Sequence, residues 1–184
     1  YADPPSEAGA LVACEPFTPY ADLDSLSAAL ATEPSILGIV GADIATDVRL
    51  TGDTLLFAFG DTILDALITR KGSVRNSLLA FSEDRACLVL GEDGSAFVPD
   101  RPDGVGYWPT SMVEVAPGRT VAMFLQRVRE TSDGGFVNLG PSVAEIAIDR
   151  DGLPRLVRVI DIGPDEPSRT RIGWGAASWR AEDG

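Results

Sequence analysis

The sequence predicts an all-β protein built of short antiparallel strands. From Ile36 onward, apolar stretches of strand length alternate with turn sequences, and one order of four strands occurs twice. No apolar run approaches the roughly 20 residues that a membrane-spanning helix needs. Two repeated four-stranded meanders are typical of β-propeller blades, and a β-sandwich of eight or nine strands is the alternative architecture.

The N-terminal region differs in composition from the rest of the chain. Residues 1–35 are rich in Pro, Ala and Ser and lack strand alternation, so we expect an irregular arm that lies across the domain. Leucines at helical spacing predict a short helix over residues 22–31. The chain begins at Tyr1 without an initiator Met, as expected of a processed product.

The first meander combines a half-buried strand with more apolar ones. Residues 43–50 alternate between apolar and polar side chains, and a tight turn at Thr51-Gly52-Asp53 follows. A long excursion over residues 61–75 separates the second strand from the third. The four strands are expected over residues 43–50, 54–59, 77–81 and 86–90.

The second meander has the same order, with an excursion over residues 130–141. Its strands are expected over residues 111–115, 120–128, 142–148 and 156–160. The stretch 172–179 then looks like the opening strand of a third blade. Residues 36–184 therefore predict two propeller blades and the first strand of another. Because a propeller needs at least four blades, a longer polypeptide or a second chain is expected to complete it.

Charge and composition exclude several kinds of function. With 28 acidic and 15 basic residues the net charge is −13, which disfavours nucleic acid and anionic membranes as partners. The chain contains no histidine, so it lacks a Ser-His-Asp arrangement and the commonest general base. Any catalysis within this chain must therefore depend on carboxylates.

The two cysteines, Cys14 and Cys87, are too few and too far apart for a zinc site. One interpretation is a disulfide that holds the N-terminal arm, and the other is two unrelated buried thiols. The disulfide would suit an oxidising compartment, which favours a secreted protein or one on the cell-envelope exterior.

Two aspartates are expected at one rim of the first meander. Asp43 begins the first strand and Asp61 follows the second, and these positions are neighbours in a hairpin. Paired carboxylates suit glycoside hydrolysis, sugar-hydroxyl binding or a Ca²⁺ site. Alternatively, Asp61 caps a turn and Asp43 accepts bonds from loop amides. The sequence contains no Asp-x-Asp-x-Asp loop, so neither a metal nor another cofactor is predicted. Binding of Ca²⁺ by the two aspartates is left as an alternative.

Several segments resemble bacterial five-bladed propellers of the furanosidase-type glycoside hydrolases. The nearest family is the endo-D-arabinanases, formerly a domain family of unknown function. The resemblance covers roughly residues 36–180, and its most specific part is Phe59-Gly60-Asp61-Thr62. The matching segments are Gly41–Asp43, Leu56–Thr62, Arg75–Leu79, Gly106–Pro109, Val121–Arg127, Leu139–Ala144 and Trp174–Ala177.

The resemblance implies an active site in the funnel at the propeller axis. Asp43 would act as general base or nucleophile, and Asp61 would orient it or bind a furanose hydroxyl. The resemblance also implies four funnel-lining residues, with the tryptophans stacking on sugar faces; for Trp108 the alternative is that it fills a gap between blades. These four are Asn76, Trp108, Gln126 and Trp174.

The chain departs from the family in its general acid, which relatives take from a later blade. Glu114 and Glu145 lie on predicted strands, but no motif makes either the acid. The sequence thus favours a hydrolase of furanose polysaccharides such as arabinan, completed by blades outside this chain. The alternatives are a non-catalytic propeller that binds poly- or oligosaccharide, and a protein-interaction subunit completed by a partner chain.

Overall fold

A computed structural model shows an all-β protein with three antiparallel sheets. The predicted helix over residues 22–31 lies outside the described residues, as does the predicted strand 172–179 apart from residues 177 and 178. In the part that is described, no helix has the length and apolar character needed to span a membrane. The structure describes residues 10–17, 37–52, 54–69, 71–82, 84–167 and 177–178.

The first large sheet has five strands. They are β1 (Val12–Pro16), β3 (Ala45–Arg49), β4 (Leu55–Phe59), β7 (Ser77–Phe81) and β8 (Arg85–Val89), in the order β1-β8-β7-β4-β3. The last four of these correspond to the strands expected for the first meander. Strand β1, by contrast, lies in the region expected to be irregular. It is an edge strand with both faces largely exposed, so its sequence carries no period-2 alternation.

The second large sheet is a four-stranded meander. Its strands are β9 (Gly106–Ala116), β10 (Thr120–Glu130), β11 (Phe136–Ile148) and β12 (Pro154–Asp161), in the order β12-β11-β10-β9. The predicted excursion over residues 130–141 is wrong. The chain reverses in a short turn, where the Thr131 N–H donates to the Gly135 carbonyl at 2.7 Å, and β11 begins at Phe136. Gly134, at a φ of 77°, allows this reversal.

The third sheet is small and lies within the first meander. It consists of β2 (Ile39–Ala42), β5 (Thr62–Leu64) and β6 (Ser73–Val74), in the order β2-β5-β6. The predicted excursion over residues 61–75 therefore contains two short strands, which are too brief to show a periodic pattern. This sheet positions the cleft described below.

The two large sheets share a hydrophobic core. Leu56 on β4, Leu78 on β7 and Met123 on β10 are among the side chains buried in it. A second buried cluster, around Leu79 and Leu88, lies on the opposite face of the five-stranded sheet and includes residues of the small sheet. The five-stranded sheet is thus buried on both faces, and the sheets do not close on one another within the described residues.

A disulfide fastens the edge strand β1 to the core. Cys14 lies opposite Cys87 in the β1–β8 register, and the bond closes a sequence separation of 73 residues. Loops of this length lose substantial chain entropy in the unfolded state when they are cross-linked. The double substitution Cys14→Ser and Cys87→Ala is expected to lower the free energy of unfolding by about 2–4 kcal/mol.

Urea denaturation of the oxidised protein and of the double variant measures this difference. Wild-type protein treated with a reducing agent serves as the control, and its midpoint should approach that of the variant. Equal midpoints for oxidised wild type and variant would contradict a stabilising role for this bond.

Candidate functional site

Asp43 and Asp61 lie side by side at a corner where a two-stranded ribbon passes from the small sheet into the five-stranded sheet. Strands β2 and β5 pair in the former and β3 and β4 in the latter. At the corner the Asp43 N–H donates to the Asp61 carbonyl at 3.1 Å, and the Gly60 N–H donates to the Asp43 carbonyl at 2.9 Å. The structure thus places the backbones of the two predicted aspartates next to each other.

The corner depends on two unusual backbone features. Ile44 has a φ of 44°, in the left-handed region that a β-branched residue adopts only under strain. Across from it, a Cβ added at Gly60 would lie 2.5 Å from Asp43 Oδ1. The absence of a side chain at Gly60 leaves room for the Asp43 carboxylate to lie against the backbone.

Asp61 lines a cleft of about 750 Å³, whereas Asp43 lies at the same corner outside the cleft lining. Trp108 donates from Nε1 to Asp61 Oδ1 at 3.0 Å, which fixes the Asp61 side chain. The Asp43 carboxylate is exposed and has no hydrogen-bonding partner among the described residues. The cleft is lined by Asp61, Ile63, Lys71, Ser73, Val74, Arg75, Ser95, Ala96, Pro99, Asp100 and Phe136.

An aromatic ring, that of Phe136, lines the cleft, and Trp108 packs against it. The rings of Trp108 and Phe136 meet edge to face with centroids 4.8 Å apart, and Phe136 is 38% exposed. The Arg75 guanidinium lies 5.5 Å from the Phe136 ring centroid and forms an ion pair with Asp100 at 2.9 Å. Exposed aromatic faces beside polar groups are suited to sugar rings. Trp108 lies on β9 and bonds to Asp61 at the corner, so it links the second large sheet to the first meander.

Four of the charged and aromatic cleft residues were not predicted as site residues from the sequence, namely Lys71, Arg75, Asp100 and Phe136. Phe136 and Lys71 fall in segments expected to be excursions, and only strand pairing brings them to the site. Arg75 stands in a segment that carries the family resemblance, which was the one available signal. Gly106 leaves the space that the Arg75 side chain occupies.

Asn76 is placed in the interior, away from the cleft lining. It is 1% exposed, and its Nδ2 donates to the carbonyls of Val98 and Tyr107 at 3.1 and 3.0 Å. Its Oδ1 accepts from the Val98 N–H at 2.7 Å. The amide therefore joins three backbone groups, which is a structural role.

Gln126 also has a structural environment. It is 8% exposed, and its Nε2 donates to Asn138 Oδ1 and to the Gly140 carbonyl. These bonds hold the bulge at which the β10–β11 register shifts. Trp174, the fourth residue expected in the funnel, lies outside the described residues.

The two glutamates considered as acids both have partners. Glu114 accepts hydrogen bonds from the backbone of Thr51 and Gly118 at 2.8 and 2.7 Å, which ties two turns together. Glu145 pairs with Arg158 across β11 and β12 at 2.7 Å. Neither belongs to the lining of the cleft.

A buried arginine organises the segment after β12. Arg127 is 1% exposed, donates to the carbonyls of Ile162, Gly163 and Pro164, and lies 3.3 Å from Asp161. No local sequence pattern predicts a role for this residue. Buried arginines are rare unless they are paired. The burial of Arg127 therefore depends on its ion pair with Asp161 and on these hydrogen bonds.

Asp161 is the shared acceptor of that network. Burial raises the pKa of this carboxyl, but the hydrogen bond from Ser142 and the charges of Arg127 and Arg101 outweigh it, so the pKa lies below its ordinary value. Burial also raises the pKa of the Tyr107 phenol to about 12. The phenol therefore stays protonated and donates to Asp161.

Within the residues that the structure describes, no group of three or more His, Cys, Asp or Glu side chains is arranged to hold a metal ion. The corner and the cleft beside it together contain carboxylates, an indole N–H, two cations and an aromatic surface. Those groups can bind hydroxyls and transfer protons.

Comparison with known proteins identifies a shared fold. No protein-family model matches the sequence, and no curated protein matches it. The structure is similar to that of a candidate hydrolase from Bacteroides ovatus, with a TM-score of 0.60 and 15% sequence identity. The match covers 84% of this chain and 47% of the other, so the chain spans about half the length of that protein.

Proposed function

We propose that this chain is the first part of a five-bladed β-propeller glycoside hydrolase that cleaves furanose-containing polysaccharide such as arabinan. The observation that carries the proposal is the ribbon corner, where Asp43 and Asp61 are adjacent and Asp61 opens into a cleft with an aromatic wall. The resemblance to the endo-D-arabinanases involves the same corner segments. A structural neighbour described as a candidate hydrolase supports the reaction class.

The two aspartates have different surroundings and therefore different proposed roles. Asp43 is exposed and unpartnered among the described residues, so it is available as general base or nucleophile. Asp61 is held by Trp108 and lines the cleft, which suits binding of a furanose hydroxyl. Trp108 thereby acts as a positioning residue for Asp61, and Phe136 supplies the exposed ring against which a sugar packs.

The remaining blades of the propeller are proposed to come from a longer polypeptide or from a partner chain. Each large sheet contains a four-stranded meander, to which β1 adds a fifth strand in the first sheet, and the two sheets share one core, as adjacent blades do. On the opposite face of the second sheet, Phe124, Val143 and Ile160 form a cross-strand row, and Ile160 is 46% exposed. A further sheet packed on this row would bury it, and the neighbour is about twice as long as the matched region.

A location outside the cytoplasm is part of the proposal. The Cys14–Cys87 disulfide supports it, because structural disulfides persist mainly in oxidising compartments. A polysaccharide substrate is also met mainly outside the cell.

Binding of a neutral arabino-oligosaccharide, measured by isothermal titration calorimetry, tests the proposed site. The variant Asp61→Ala is expected to bind about tenfold more weakly or worse, because a hydrogen bond to a charged acceptor is lost. Asp47→Asn, an exposed aspartate on β3, is the control and should bind as wild type. Absence of binding by the wild-type chain would contradict the proposal.

A second candidate function is carbohydrate binding without turnover. It is favoured by the engagement of Glu114 and Glu145 in structural contacts, which leaves neither of them as general acid. An assay for new reducing ends on the same samples separates the two functions. Binding with product supports the hydrolase, and binding without product after long incubation supports the non-catalytic propeller.

A further inference from the structure

The Arg75 side chain lines the cleft and is held by groups from two distant segments. Its Nε donates to Asp100 Oδ2 at 2.9 Å, and its guanidinium lies 5.5 Å from the Phe136 ring centroid. All three residues belong to the cleft lining. The guanidinium is therefore placed by an ion pair and an aromatic contact together.

Gly106 provides the space that this ion pair occupies. A Cβ added there would lie 2.1 Å from Arg75 Cδ, 2.5 Å from Arg75 Nε and 2.9 Å from Asp100 Oδ1. The φ of Gly106 lies outside the left-handed region, so its backbone does not itself call for glycine. Any side chain at this position would displace Arg75 from its place beside Asp100.

The ion pair uses only part of the hydrogen-bonding capacity of its two side chains. Among the described residues, the N–H on Nε is the one guanidinium group that finds an acceptor, and Asp100 Oδ1 accepts no hydrogen bond. The side chains of Arg75 and Asp100 are 22% and 40% exposed. They therefore present N–H donors and a carboxylate acceptor that a ligand can reach.

The charges of the cleft favour a neutral ligand. Among the described residues of its lining, the carboxylates of Asp61 and Asp100 balance the cations of Lys71 and Arg75. A balanced lining attracts neither anions nor cations strongly, so recognition depends on hydrogen bonds. A hydroxyl can both donate and accept, which suits a guanidinium and a carboxylate lying side by side.

We infer that the Arg75–Asp100 pair determines specificity in the cleft by binding two neighbouring hydroxyls of a neutral sugar ring. The inference rests on the proposed carbohydrate site and names the group that this site recognises. One hydroxyl accepts from the guanidinium, and its neighbour donates to Asp100 Oδ1. Phe136, the ring proposed to pack against the sugar, lies beside the guanidinium, so both contacts can involve one sugar ring.

Matched ligands and variants test the inference by isothermal titration calorimetry. The ligands are a neutral arabino-oligosaccharide and its analogues that lack either the 2-hydroxyl or the 3-hydroxyl. The proteins are wild type, Arg75→Met and Gly106→Ala, with Arg158→Met as the control. Arg158 also forms an arginine–carboxylate ion pair, with Glu145 at 2.7 Å, but lies outside the cleft lining. Thermal midpoints establish that each variant is folded.

Wild type is expected to bind the oligosaccharide about tenfold more tightly than a deoxy analogue, because a hydrogen bond to a charged group is lost. Arg75→Met should weaken binding of the oligosaccharide about tenfold and leave binding of the analogue that lacks its hydroxyl partner unchanged. Gly106→Ala should cause the same selective loss, although every cleft side chain remains. Arg158→Met should bind as wild type.

A merely structural role for Arg75 would weaken all three ligands equally. That result would overturn the inference, as would equal binding of all three ligands by wild type. If the oligosaccharide binds in an Asp61-dependent manner but neither Arg75→Met nor Gly106→Ala has a selective effect, only the hydroxyl-binding role of the pair is wrong. If no sugar binds to the wild-type chain, the carbohydrate site is wrong and this role with it.

Discussion

In the protein completed by its remaining blades, replacing Asp43 by asparagine is expected to reduce the release of reducing ends from arabinan by about 10²–10⁴-fold, the usual contribution of a general base. Asparagine has nearly the same shape but cannot accept a proton from water or attack as a carboxylate. The corner itself should persist, because its hydrogen bonds use the backbone of Asp43 rather than its side chain. The variant should also retain oligosaccharide binding, since Asp43 lies outside the cleft lining.

The matched control for this change is Asp47→Asn, four residues further along the same ribbon. Asp47 is exposed on β3 and pairs in register with Phe57. Initial rates and thermal midpoints are measured for both variants and for wild type. If Asp43→Asn keeps full activity and an unchanged thermal midpoint, Asp43 is not the general base or nucleophile.

The second large effect is expected on stability. Arg127→Met should lower the free energy of unfolding by about 3–5 kcal/mol, the usual cost of removing one partner from a buried charged network. The carbonyls of Ile162, Gly163 and Pro164 lose their donor, and Asp161 loses one of its two arginines. Denaturation in urea at neutral pH measures the change.

Arg129→Met is the control, since Arg129 lies on the same strand with a side chain that is 42% exposed and pairs with Asp103 at 3.2 Å. An exposed pair of this kind should contribute less than about 1 kcal/mol. Similar losses for Arg127→Met and Arg129→Met would contradict the special role of Arg127.

The effect of Arg127 should depend on pH in a defined direction. Arg127 helps to lower the folded-state pKa of Asp161. The stability that this carboxylate contributes is therefore fully present above its ordinary pKa of about 3.9, and it is lost as the pH falls from that value through the lowered pKa of the folded state. The difference in stability between wild type and Arg127→Met should therefore narrow below about pH 4. A difference that grows in acid would contradict this linkage.

The parts of the fold that have a local sequence pattern could be predicted. The strand Ala45–Arg49 alternates in burial as its sequence does, and the apolar strand Leu55–Phe59 follows a glycine-containing turn. The proximity of Asp43 and Asp61 could also be predicted, because hairpin geometry alone makes the start of one strand and the end of the next neighbours.

The other features depend on contacts that are distant in sequence. Strand β1 has almost no buried face, so only its pairing with β8 and the disulfide to Cys87 define it. From the sequence, Asn76 is a polar residue suited to lining a funnel. In the structure its side-chain amide instead hydrogen-bonds to backbone carbonyls that lie 22 and 31 residues away in the chain. Phe136 reaches the cleft because β11 starts earlier than its sequence suggested.

The most direct test of the central claim is to locate the sugar on the protein. Two-dimensional NMR of the ¹⁵N-labelled chain, titrated with a neutral arabino-oligosaccharide, reports which backbone amides respond. The predicted result is saturable shifts at Asp61, at Ser73 to Arg75 and at Phe136, with the edge strand Val12–Pro16 unaffected. Shifts confined to surfaces away from this cleft, or no shifts at millimolar sugar, would contradict the proposal that the ribbon corner is a carbohydrate site.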